Sequence, residues 1–185
     1  MEFLKICGEG NAYLLKRQGK WVLIDTSAKE FGKKLEMEIS KLLSPEKISY
    51  VLLTHLHFDH CENADLFPSA RLFASVEEIE DFRNDSSIFF FGRKTIQDFL
   101  LEKLEPLPER ILGLEVLKLP GHTRGSVAFL DGEKKRIFSG DTLFHHGIGR
   151  TDFPNSVPEK MAESVSKIQR IIAENSLELM PGHDY

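Results

Sequence analysis

Thr54-His55-Leu56-His57-Phe58-Asp59-His60 follows directly on the apolar run Ile48-Ser49-Tyr50-Val51-Leu52-Leu53. Three imidazoles and a carboxylate crowd into this one short stretch, a density that folding alone does not call for. Neutral imidazole is the commonest metal ligand, and a carboxylate adds charge that a divalent cation neutralises. His55 and His57 are two apart, so on an extended backbone both rings leave on one side. Asp59 and His60 are adjacent, so the chain must turn before both can point back, as a buried strand ending in a sharp turn into a helix would allow. A plain polar surface turn would favour Gly, Asn and Ser over histidine.

Three places downstream share this character. His122 sits in Pro120-Gly121-His122-Thr123, Asp141 in Ser139-Gly140-Asp141-Thr142 and His183 in Pro181-Gly182-His183-Asp184, each after an expected strand. Each is preceded by glycine, which permits unusual backbone angles and close approach in a crowded site. Five of the seven histidines fall in these four places. Five imidazoles and two carboxylates suffice for two metals with one carboxylate bridging. Mixed N and O ligands without thiolate suit Zn, Fe or Mn and do not choose among them.

Around these motifs the pattern reads as one α/β domain over residues 1–185. Short strands are expected at 2–6, 11–16 and 20–25, with Gln18-Gly19 as a hairpin turn. Phe31, Leu35, Ile39, Leu42 and Leu43 give a helical period over 28–43, stopped by Pro45. A strand at 71–74 precedes helices at 76–83 and 94–104. Ile88-Phe89-Phe90-Phe91-Gly92 is an apolar loop or turn, either core or the lining of a substrate groove, with core preferred. Strands follow at 114–119, 126–130 and 135–139, then a helix over 159–174 with Pro158 at its start and Ser156 as a weak cap, and a last strand at 177–180. Two strand-rich halves, each with helices, suggest two sheets packed face to face with helices outside.

Composition narrows the class. Hydrophobic residues at 41% and charged residues at 29% suit a soluble globular domain, and a net charge of −5 gives no basic footprint for nucleic acid. The two cysteines, Cys7 and Cys61, form no disulfide framework or Cys-x-x-Cys site. A reducing cytoplasm is the expected compartment. No signal peptide and no membrane span are visible.

The set His-x-His-x-Asp-His, Gly-His-Thr, Gly-Asp-Thr and terminal Gly-His, with Leu23-Ile24-Asp25-Thr26 upstream, resembles the metallo-β-lactamase superfamily in identity and order. The resemblance implies a four-layer αβ/βα sandwich, two mixed β-sheets flanked by helices, with metals at one edge. It implies one divalent metal on His55, His57 and His122, a second on Asp59, His60 and His183, and Asp141 bridging. Asp25 resembles a carboxylate that orients ligand rings; its alternative reading is a helix cap. Phe138-Ser139-Gly140-Asp141-Thr142-Leu143-Phe144 and Gly147-Ile148-Gly149-Arg150-Thr151-Asp152-Phe153 look like the glyoxalase II group.

The implied function is a dinuclear metallohydrolase acting on small-molecule thioesters of the hydroxyacylglutathione type, with Asp59 orienting the attacking hydroxide as well as binding metal. The alternative is a mononuclear iron persulfide dioxygenase using His55, His122 and Asp141, toward which His183-Asp184-Tyr185 leans. A non-catalytic metal-binding protein is a third reading. Larger glyoxalase II enzymes carry a C-terminal helical domain that helps hold glutathione. The chain ends two residues after His183, so weak discrimination in the thiol half is expected. Glu62 stands where the family commonly has glycine. Cys61 reads as a buried small residue, His145 and His146 as exposed loop residues, and Arg150 and Asp152 as a pair fixing their loop.

Overall fold

The computed structural model describes residues 2–93 and 95–184. Eleven strands among them form two mixed sheets. In the first, β1 (Phe3–Ile6), β2 (Ala12–Arg17) and β3 (Lys20–Ile24) form an antiparallel meander. β4 (Ile48–Leu52), β5 (Arg71–Ala74) and β6 (Leu104–Pro106) then add in parallel beside β3. The second sheet runs from the short β7 (Arg110–Ile111) through β8 (Leu114–Lys118), β9 (Val127–Asp131) and β10 (Arg136–Gly140) to β11 (Glu178–Pro181). Only the β10–β11 pair of this sheet is parallel.

Alternation along the strands makes three apolar layers. In β3, Leu23 faces a core shared with Leu35 and Ile39 of α1 (Gly32–Ser40) and with Ile79 and Phe82 of α3 (Val76–Asn84), whereas Val22 and Ile24 face the other sheet. Leu52, Phe73, Phe129 and Phe138 fill the space between the sheets. Ala128 and Ile137 turn outward onto Ile168 of α6 (Pro158–Asn175). Period-2 side chains burying both sheet faces give the helix–sheet–sheet–helix sandwich.

Two expected helices differ in detail. The 28–43 segment opens as a 3-10 turn at Lys29–Phe31 before α1. The Asn63 amide donates to the Thr26, Ser27 and Ala28 carbonyls and the Glu62 carboxylate accepts from Lys29 N–H, so these partners pin the entry before a helix can set in. The expected 94–104 helix begins on Lys94, outside the described residues; α5 spans Gln97–Lys103. Ser156 does not cap α6: its hydroxyl donates to the His122 carbonyl instead. The apolar stretch near 88–92 contains a short helix, α4 (Ser87–Phe90), that buries Phe89 and Phe90 but leaves Phe91 exposed. Short β6 and β7 had no pattern long enough to be read from the sequence.

Candidate metal centre

The apolar strand β4 carries the chain to the sheet edge, where Thr54 is held from two directions. Asp25, at the end of β3, accepts from Thr54 N–H and Thr54 Oγ1–H, both at 2.8 Å. The Thr54 carbonyl accepts from Val127 N–H of the second sheet at 3.0 Å. His55 and His57 follow on extended backbone, and the short helix α2 (Phe58–Cys61) turns Asp59 and His60 back toward them. From the other sheet, His122 follows β8, Asp141 follows β10 and His183 follows β11. Gly140 makes the turn into Asp141 possible. Its φ is +51°, and a Cβ there would stand 2.7 Å from the Thr54 side chain. A methyl group on Gly182 would strike the Asp141 carboxylate.

The seven expected residues converge. His55 Nε2 and His57 Nδ1 lie 3.2 and 2.9 Å from His122 Nε2. Asp141 reaches His60 Nε2 with one oxygen at 3.2 Å and His183 Nε2 with the other at 3.3 Å. Asp59 Oδ2 is 3.2 Å from His183 Nε2, which is 3.4 Å from His60 Nε2. Nitrogens around a tetrahedral ion with bonds of about 2.1 Å stand about 3.4 Å apart, so these spacings fit the coordination shell of such an ion.

Groups behind the rings fix which nitrogen faces inward. His60 Nδ1 contacts Asp25 at 2.9 Å, His122 Nδ1 the Arg150 carbonyl at 2.7 Å, and His55 Nδ1 the Thr54 hydroxyl at 3.1 Å. His57 Nε2 lies 3.4 Å from Asn155 Oδ1. The acceptors at Asp25, Arg150 and Asn155 take the remote N–H, and the Thr54 hydroxyl, spent as a donor on Asp25, accepts from His55. At the His55, His57 and His122 end lone pairs then aim at lone pairs. Such an arrangement needs an electrophile between them, and Asp141 Oδ1, buried without a hydrogen bond, has the same need. The donor set therefore fits divalent cations.

Burial, reinforced by neighbouring imidazoles, holds His55 well below its usual value and takes His57 down to about 3. Both offer lone pairs rather than protons at neutral pH. Burial opposes protonation of His60 too, but Asp141, Asp59 and Asp25 outweigh it and raise that ring.

One supporting residue escaped the sequence reading. Glu78 is fully buried in α3 and accepts from Leu56 N–H at 2.8 Å, Thr123 Oγ1–H at 2.5 Å and Gly125 N–H at 3.1 Å. Leu56 lies between two candidate ligands and Thr123 next to a third, so one carboxylate ties together the loops that present His55, His57 and His122. Ser75-Val76-Glu77-Glu78 has the form of a capping box. Only half of that box forms: Ser75 Oγ accepts from Glu78 N–H at 3.1 Å, and the Glu78 carboxylate leaves the helix.

Asp25 is a ring-orienting group and not a cap. Cys61 is buried and donates to the Leu56 carbonyl. His145 and His146 are exposed on the loop. Arg150 and Asp152 form the expected fork, at 2.9 and 2.7 Å. Tyr185 of the His183-Asp184-Tyr185 motif lies outside the described residues.

The fold and this edge cluster define a class, and residues 6–183 match the sequence model of the metallo-beta-lactamase superfamily. The chain belongs to that superfamily, as a metallo-hydrolase. It is 28% identical over 192 residues to a probable metallo-hydrolase of Methanocaldococcus jannaschii, covering 97% of this chain and 91% of that one. It is 33% identical over 149 residues to the hydroxyacylglutathione hydrolase GloC of Haemophilus influenzae, covering 74% and 68% respectively. TTHA1623, solved in a di-iron-bound form, superposes with a TM-score of 0.75 at 30% identity, over 95% of this chain and 88% of that one. No helix among the described residues is long and apolar enough to cross a membrane.

Proposed function

We propose that the chain is a dinuclear thioesterase of the glyoxalase II type. His55, His57 and His122 hold one divalent cation, Asp59, His60 and His183 a second, and Asp141 bridges them. The observation that carries this reading is the convergence of seven donors from both sheets, with inward ring nitrogens 2.9–3.4 Å apart. Cations bound there supply Lewis acidity and lower the pKa of a bound water from about 15.7 toward neutrality. Asp59 is the partly exposed member of the set and lines the cleft above it. From there it orients the water toward a thioester carbonyl. A thiol leaving group with a pKa near 8.5 departs as thiolate without a strong general acid, and the proposal needs none. Similarity to GloC supports the thioester class.

The test is thiol release from a hydroxyacyl thioester of glutathione, with and without oxygen. Equal rates are expected. Oxygen consumption with a persulfide substrate, together with no thioester cleavage, would favour a mononuclear iron dioxygenase on His55, His122 and Asp141.

A further inference from the structure

A cleft of about 450 Å³ opens above the donor cluster. Its wall beside His57 is aromatic. The Phe153 ring stands 4.9 Å from His57 and 5.7 Å from His122, and Phe91 stands 5.6 Å from His57, 5.2 Å from Phe153 and 6.0 Å from Phe58. Phe91 is 47% exposed while its neighbours Phe89 and Phe90 are fully buried. A phenylalanine left this exposed beside two anchored ones has no part in the core.

The backbone places it there. Phe91 ends α4 in the left-handed region, at φ +47° and ψ +42°, a conformation disfavoured for a residue with a Cβ. Beyond it the chain is tied to α2. Arg93 lies 4.4 Å over the Phe58 ring and pairs with buried Glu62 at 3.4 Å, and Thr95 Oγ1 donates to Glu62 at 3.0 Å. Glu62, the residue that departs from the family's glycine, thus spends its carboxylate on Lys29 N–H, Arg93 and Thr95 and anchors the segment that follows Phe91. The rest of the cleft is mixed: Phe144 and half-exposed Ile148 line it beside exposed Glu9, and Arg150, forked to Asp152, lies 4.8 Å over the outer side of the Phe153 ring.

We propose that Phe58, Phe91 and Phe153 form a subsite for an aryl or branched-alkyl substituent on the acyl half of the substrate, next to the scissile carbonyl. This rests on the thioesterase reading. The Phe91 and Phe153 rings stand 5.6 and 4.9 Å from His57 at the cleft floor, so the substituent carried by a carbonyl bound at the donors is the part of the substrate that meets them. The longer thiol half extends the other way, toward Glu9 and Ile148. Offset or edge-to-face packing against three rings favours an aryl group over a methyl.

Two thioesters of one thiol differing only there test this: 2-hydroxy-2-phenylacetyl against 2-hydroxypropanoyl. On the zinc-loaded protein the phenyl compound is expected to have a kcat/KM at least about tenfold higher, within the range one apolar pocket achieves. In Phe91→Ala that ratio should collapse toward one, and in Phe91→Leu it should be intermediate. Calorimetric titration with the two free acids, mandelate and lactate, reads the same preference without turnover. Equal rates and equal affinities overturn the subsite while leaving the thioesterase reading intact. A preference that survives in both variants also overturns it. Tighter binding of mandelate, lost in Phe91→Ala, with neither thioester cleaved, upholds the subsite and removes the thioesterase reading.

Discussion

Replacing Glu78 by glutamine tests whether the buried carboxyl that ties the histidine loops together is a titrating group. Burial pushes this carboxyl from 4.5 up to about 7, with the hydrogen bonds from Thr123, Leu56 and Gly125 holding it back. The native protein therefore binds more protons here than the unfolded chain does between these values. Stability from this group is fully present below about pH 4.5 and is lost as pH rises through 7. At about 1.36 kcal/mol per pH unit, the loss is about 3 kcal/mol. Glutamine does not titrate, but its amide must face one buried backbone N–H, of Leu56 or Gly125, which costs about 2 kcal/mol at every pH. Wild type should thus exceed Glu78→Gln by about 1 kcal/mol at pH 5, match it near pH 6 and fall about 1 kcal/mol below it by pH 8. Urea unfolding in the presence of a chelator, followed by Trp21 fluorescence and far-UV circular dichroism from pH 5 to 8, measures it. With a slope of about 2 kcal/mol per molar urea, the wild-type midpoint should lie about 0.5 M higher at pH 5, coincide near pH 6 and lie about 0.5 M lower at pH 8. A gap that is constant or widens with pH would refute the assigned titration.

Asp25→Asn replaces the charged acceptor behind His60 and should weaken the cation held by His60, Asp59 and His183 by about 10–100-fold, read by chelator competition; unchanged affinity would show that Asp25 does not tune the ring. Element analysis of protein saturated with zinc should find two ions per chain, and Asp141→Asn should lower that number; one ion in the wild type would count against the dinuclear site. A colorimetric thiol reagent should modify exposed Cys7 and leave buried Cys61 untouched until denaturant is added. Burial holds the Cys61 thiol well above its ordinary value, and rapid reaction of both thiols in the folded protein would contradict that placement.

The candidate metal-binding residues were legible because their chemistry is concentrated and punctuated. A run of histidines after one apolar strand, and His122, Asp141 and His183 each following a glycine after another, leave few other readings. Glu78 was not legible, because Ser-x-x-Glu before a helix has a sufficient local explanation. Only the distant arrival of Leu56 and Thr123 draws the carboxylate away from its own helix. Ser156 failed in the same way: its local role as a cap lost to the His122 carbonyl. Phe89, Phe90 and Phe91 are identical letters in sequence, and a single left-handed residue separates two core rings from one cleft ring. Glu62 stood out by its departure from a pattern, but its partner Arg93 comes from a segment that no local pattern ties to it.

The donor groups are shared between the halves of the sandwich. His55, His57, Asp59 and His60 come from the first sheet, His122, Asp141 and His183 from the second, and each of the three clusters they make mixes the two. Neither sheet can assemble a complete set alone, so an ion held there would act as a rivet driven after the plates are aligned. An ligand of that kind at a hundredfold excess over its Kd would add about 2.7 kcal/mol to the docked state. The hydrogen bond from Val127 N–H to the Thr54 carbonyl crosses the same joint. Chelation should therefore loosen the seam between the sheets before either sheet itself, and amide exchange at Val127 should be an early reporter of an empty site.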